Sequence, residues 1–150
     1  MATEFRLIDV TGADGGVVEP AWFARAEAVH RQLRTELPTD YAARLAQVFA
    51  NGARMSVAVE GEAVRGVAVW RLIENTYEGR RLYVDDLVTD QAQRSRGVGH
   101  ALLGHLEQHA RQQACDMLAL DSGTQRADAH RFYFREDMMI SSFSFRKRLK

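Results

Sequence analysis

The sequence predicts an α+β fold, a mixed but mostly antiparallel sheet flanked by helices, and three observations carry that expectation. The apolar runs Met55 to Val59, Val64 to Trp70 and Arg81 to Val88 follow one another with only turn residues between them, so they pair antiparallel. Strand, helix and strand then succeed one another from Tyr83 to Leu120, a crossover that makes one pair parallel. Two stretches with apolar residues at three- and four-residue steps precede the strands and supply covering helices.

In chain order, Phe5 to Val10 alternates apolar and polar residues and reads as a first strand, closed by the turn-rich Thr11-Gly12-Ala13-Asp14-Gly15-Gly16. Pro20 suits a helix start, and Trp22, Ala26, Val29, Leu33 and Leu37 form one stripe until Pro38 ends it. Thr39 or Asp40 can cap a second helix carrying Tyr41, Leu45, Val48 and Phe49, with Gly52 as its stop. Glu60-Gly61-Glu62-Ala63 turns the first hairpin, and Glu74 to Gly79 returns the chain to the strand at Arg81 to Val88.

A helix bearing Leu102, Leu103 and Leu106 then runs to about Gln113, Met117 to Leu120 is a short strand, and Arg126 to Phe134 a short helix. Met139, Ser141, Phe143 and Phe145 alternate with Ile140, Ser142 and Ser144, which reads as a final strand before the basic Arg146-Lys147-Arg148.

A length of 150 residues suits a single domain spanning the whole chain, with roughly 70% of the unfolded surface buried. The 20 basic and 20 acidic side chains cancel, so no global field points to nucleic acid or to a membrane surface as partner. One cysteine, Cys115, excludes an intrachain disulfide and fits a reducing compartment; its position between a helix and an apolar strand suggests burial. There is no basic-then-apolar leader and no run of about 18 apolar residues, so a cytoplasmic location is expected.

The chemistry concentrates at Arg94-Ser95-Arg96-Gly97-Val98-Gly99, between the strand ending in Leu87-Val88-Thr89 and the leucine-bearing helix. The first turn of a helix leaves about four amides without intrahelical partners, and its dipole makes that end positive. The amides from Arg96 to His100 are therefore suited to a phosphate, with Gly97 and Gly99 admitting close approach and Arg94 and Arg96 adding charge at the rim. A Walker loop is absent, and the dinucleotide fingerprint fails at its third glycine, where Leu102 stands.

What remains is [QR]-x-x-G-x-[GA], matched by Arg94, Gly97 and Gly99, and it resembles the acyl-CoA loop of the GCN5-related N-acetyltransferase (GNAT) family. Arg126 to Asp137 resembles the second family motif, N-x-x-A-x-x-[LF]-Y-x-x-x-G-[FM], through Ala129, Phe132 and Tyr133. Arg126 departs from its asparagine, and Asp137 from its glycine, a position of positive φ that Asp tolerates at modest cost. The resemblance covers about Met55 to Leu149 and implies a six- to seven-stranded GNAT sheet. It also implies acetyl-CoA as co-substrate, its pantetheine arm along the free backbone groups of Leu87, Val88 and Thr89.

The implied activity is acetyl transfer to a primary amine by direct attack in a ternary complex, the acceptor being a small metabolite, an aminoglycoside-like or polyamine compound, or a protein amine. The family position of the general acid falls on Tyr133; packing beside Phe132 and Phe134 is its alternative. Base candidates are Asp85, Asp86 and Asp121. Neighbouring strand residues face opposite ways, so Asp85 and Asp86 form no dyad unless a bulge intervenes, and Asp86 and Asp121 are favoured, acting through water. His105 and His109 have metal-binding spacing but lack an H-E-x-x-H pattern or a further legible ligand, so no metal is expected and they read as a solvated helix face. His130 reads as a packing or cofactor-contact residue. Homodimerisation through the final strand is also expected. A non-catalytic acyl-CoA-binding or sensing module of the same fold is the alternative function, and an interaction domain without CoA is the third.

Overall fold

The computed structural model describes residues 4–150. The chain divides into two compact units, Met1–Ala119 and Leu120–Lys150. Its strands are β1 (Arg6–Asp9), β2 (Ala53–Glu60), β3 (Ala63–Asn75), β4 (Gly79–Thr89) and β5 (Met117–Leu120). Its helices are α1 (Pro20–Leu33), α2 (Tyr41–Ala50), α3 (Val98–Gln112) and α4 (Ala127–Arg135). No helix among the described residues is long and apolar enough to cross a membrane.

The five strands form one mixed sheet in the order β1-β2-β3-β4-β5, with β1 to β4 antiparallel. The amide of Asp116 donates to the Arg80 carbonyl (2.6 Å), so β5 begins beside the beginning of β4. A four-residue strand that starts there is outrun by the eleven residues of β4.

Alternation along the strands divides the core between two faces. Met55, Val57 and Val59 of β2 and Val67 and Val69 of β3 pack with Ala26 and Val29 of α1 and Tyr41, Leu45 and Phe49 of α2. The intervening residues face α3: a Cβ on Gly66 would meet Val98 and Leu102, and the Trp70 ring lies 4.9 Å from that of His109. Both faces are covered, which is why β2 and β3 are almost continuously buried. The caps follow the sequence signals: Pro20 opens α1, and Asp40 accepts from the Ala43 amide (3.0 Å) at the start of α2.

Two expectations are corrected. The sheet has five strands rather than six or seven, because Met139 to Phe145 forms no strand. Alternation specifies which side chains would face a core, but a strand also needs an edge to satisfy its backbone groups. Here Met139, Phe143 and Phe145 are 82%, 82% and 93% exposed. Cys115 is partly exposed rather than in the core. Asp137, by contrast, adopts the positive φ (61°) expected where the motif carries glycine.

Candidate active site

β4 is interrupted by a bulge at Asp85, since Val69 pairs with Asp86 while the next residue, Trp70, pairs with Val84. The extra residue removes the strict alternation that would send Asp85 and Asp86 to opposite faces. Both carboxylates reach groups carried by or beside α1 and α2. Asp85 accepts from Arg71 Nε (2.9 Å) and Nη2 (2.5 Å), and Arg71 also donates to the Asn51 carbonyl at the end of α2 (3.3 Å). Asp86 accepts from His30 Nε2 (2.7 Å) and from Arg34 Nε (2.6 Å), and Arg34 Nη2 donates to the Asp85 carbonyl (2.9 Å).

The network continues inward. Burial, with the charges of Glu27 and Asp86, pushes the Tyr41 phenol up, so it stays protonated and donates to His30 Nδ1 (2.7 Å). Burial would also raise the Asp86 carboxyl, but the His30 hydrogen bond and the Arg34 guanidinium outweigh it and hold Asp86 below the usual carboxylate range. Asp86 is thus a fixed anion with both oxygens engaged. Asp85 and Asp86 do face the same side, each with its own cationic partner, rather than sharing a proton.

Beyond the bulge, Leu87, Val88 and Thr89 pair with Ala68, Val67 and Gly66 of β3 and lead into the loop. Gln91–Gln93 makes one 3-10 turn, Ser95 has φ 66°, and Gly97 caps α3 at φ 86°. That left-handed conformation favours glycine, and nothing lies within 4 Å of where a Cβ would stand at Gly97. Arg94 and Ser95 precede the cap, and Val98, Gly99 and His100 form the first turn. The amides of Gly97, Val98 and Gly99 meet no acceptor among the described residues, as expected at the first turn of a helix. An open approach, a left-handed glycine cap and convergent donors fit a diphosphate.

Sequence reasoning missed the residues that brace this loop. Gln32 of α1 donates to Asp90 Oδ1 (3.2 Å) and accepts from the Gln91 amide (2.9 Å). The Asp90 amide donates to the Arg65 carbonyl (2.8 Å), and the carboxylate of Glu60 receives the Arg96 guanidinium (2.8 Å). Arg96, expected to add charge at the rim, is anchored to β2. His30, Arg34 and Gln32 lie 51 to 59 positions from their partners in β4 and the loop, so no local pattern pointed to them.

In the second unit, Asp121 follows β5, its side chain 48% exposed and 3.7 Å from Arg146 Nη2. The adjacent Ser122 Oγ is buried without a hydrogen-bond partner among the described residues, an orphan hydroxyl that a bound ligand could satisfy. Tyr133 lies on α4 with its ring 5.4 Å from Phe132, and burial pushes its phenol up, keeping it protonated at neutral pH. His130 Nε2 donates to the Gly123 carbonyl (2.8 Å), a local packing role.

These features accompany a clear kinship. The chain belongs to the Acetyltransferase (GNAT) family, whose model matches residues 21–136. It is 34% identical over 128 residues, 83% of this chain and 90% of the relative, to the Uncharacterized N-acetyltransferase YhdJ of Bacillus subtilis (strain 168). The fold is similar to that of an aminoglycoside N-acetyltransferase in complex with CoA, with a TM-score of 0.79 and 13% identity over 99% of this chain and 96% of that one. It is also similar to an aminoglycoside acetyltransferase from an uncultured soil metagenomic sample in complex with sisomicin, with a TM-score of 0.78, 16% identity and 97% of each chain covered.

Proposed function

We propose that this protein transfers the acetyl group of acetyl-CoA to a primary amine of a small molecule, by direct attack within a ternary complex. The observation that carries the reading is the left-handed Gly97 cap and the converging amides of α3, placed directly after β4 in a chain of the acetyltransferase family. Aminoglycoside-acetylating neighbours of the same fold support a small polyamine-like acceptor.

In this reading the amides from Arg96 to His100, with Arg94 and Ser95 at the rim, hold the diphosphate. Leu87, Val88 and Thr89 hold the pantetheine arm through the edge of β4 that outruns β5. Acetyl-CoA supplies an activated acyl group. The amine nitrogen bonds to the carbonyl carbon, the carbon–sulfur bond breaks, and the Tyr133 hydroxyl delivers the proton that the leaving sulfur takes up.

An alkylammonium of pKa about 10.4 costs roughly 4.6 kcal/mol to deprotonate at pH 7, so a proton acceptor is useful. Asp121, half exposed, serves through water. Asp86, with both oxygens engaged, is a weak base; it positions the end of β4 and presents negative charge towards a cationic acceptor.

The test is release of free thiol from acetyl-CoA across a panel of amines, with Tyr133→Phe alongside. Turnover with at least one polyamine or aminoglycoside is expected, falling at least tenfold in Tyr133→Phe with little change in acetyl-CoA affinity. Binding of acetyl-CoA without thiol release from any amine would leave a binding module instead.

A further inference from the structure

The α3 histidines expected on a solvated face are instead drawn onto β1 and only partly exposed. His105 Nε2 lies 2.9 Å from Asp9 Oδ1, and His109 Nε2 lies 2.9 Å from Asp9 Oδ2. The two imidazoles are one helical turn apart, their rings 4.8 Å from one another, and Asp9 comes from β1, nearly a hundred residues earlier. The three potential ligand atoms all lie within 4.8 Å of one another. We propose that Asp9, His105 and His109 form a zinc(II) site that clips α3 to β1.

The donor set suits the ion: two imidazole nitrogens and one carboxylate are the ligands a borderline divalent metal takes, and a fourth position remains for water. Zinc ligands stand about 2.0–2.2 Å from the metal, which in a tetrahedron separates them by about 3.3 Å. The 2.9 Å contacts need to open by a few tenths of an ångström and the wider separation to close, movements within the reach of side-chain torsions. The ion would replace the two Nε2 protons that now lie against the carboxylate.

The surroundings are ordered as metal sites require. Ser56 Oγ donates to Asp9 Oδ1 (2.7 Å) and itself accepts from Trp70 Nε1 (3.1 Å), while the Trp70 ring backs His109. Partial exposure, 19% and 22% for the histidine side chains and 38% for Asp9, leaves a path for the ion. The site is distinct from the loop: His105 and His109 lie eight and twelve residues beyond Gly97, about 12–18 Å along the helix.

The test uses the full chain stripped with a chelator, dialysed against zinc chloride and then against buffer, with bound metal counted by elemental analysis and Tm measured with and without zinc. One zinc per chain is expected, with Tm raised by roughly 5–10 °C at a hundredfold excess over Kd. Magnesium should do neither. His109→Ala and Asp9→Asn should lose both the zinc and the Tm shift, while His130→Ala keeps them. His105→Gln, close in volume, repeats the test should an alanine variant not fold. Less than about 0.2 zinc retained by the wild type, or full zinc retained by His109→Ala or His105→Gln, overturns the proposal.

Discussion

Gly66→Ala tests the packing that seats the loop-bearing helix on the sheet. A Cβ built on Gly66 would lie 2.6 Å from Val98 Cγ1, 2.7 Å from Leu102 Cδ1 and 3.2 Å from the Val88 carbonyl oxygen. Val98 and Leu102 are 1% and 0% exposed, so neither has space to yield, and the first turn of α3 must lift from β3. Overpacking of this kind costs about 1–3 kcal/mol, of which about 0.5–1 kcal/mol returns because alanine is less free than glycine in the unfolded chain. A net loss of about 1–2 kcal/mol lowers Tm by roughly 2–8 °C in a chain of this size. The displaced turn carries the Val98 and Gly99 amides, so acetyl-CoA affinity should fall several-fold by calorimetric titration. Gly104→Ala, six residues after Val98 on the same helix and with nothing within 4 Å of its Cβ position, is the control. It should raise Tm by about 2–4 °C, the helix-propensity gain of about 1 kcal/mol, and leave acetyl-CoA binding unchanged. A Gly66→Ala protein with wild-type Tm and wild-type affinity would refute the reasoning.

Two further outcomes follow from the loop and the bulge. Gly97→Ala keeps an open site but forces a left-handed residue with a Cβ, which should cost about 1–2 kcal/mol and weaken acetyl-CoA binding; an unchanged Tm in thermal melts would argue against the conformation. Asp86→Asn should cost about 1.5–3 kcal/mol at pH 7, because hydrogen bonds to a charged group are lost. The Asp86 carboxyl is held below its unfolded value, so its stabilisation is present above about pH 4 and is lost as pH falls through the folded value. Denaturant titrations should therefore show the gap between wild type and variant narrowing from pH 5 to pH 3, and a constant gap would contradict that sign.

What the sequence made legible was local. The limits of β5, the cap at Asp40, the helix after Gly97 and the positive φ at Asp137 each depend on residues within a few positions of one another. The Asp85 bulge was not legible, because it is a mismatch in counting between two strands, visible only once Val69 and Trp70 have found Asp86 and Val84. The same limit explains the histidines: the spacing of His105 and His109 was plain, but their third partner, Asp9, sits on a strand whose register with the rest is a tertiary property. It also explains the missing last strand, since alternation from Met139 to Phe145 says nothing about whether an edge is there to receive it.

Helix α1 holds the strand that leads into the loop. The first fifty residues carry no part of either motif, yet α1 grips β4 and its continuation on both sides of Leu87–Thr89: His30 takes Asp86, and Gln32 takes Asp90 and Gln91. The residue that follows the helix, Arg34, adds a second hold on the bulge through the Asp85 carbonyl. Three residues of strand clamped at each end have little freedom to shift along the sheet, so the edge that would carry the pantetheine arm is rigid before any ligand arrives. His30 and Arg34 also hold the Asp86 carboxylate in its ionised form. In the proposed reaction, placement of the donor and negative charge for a cationic acceptor would thereby be coupled through one helix, and changes in α1 that alter acceptor choice should alter acetyl-CoA affinity as well.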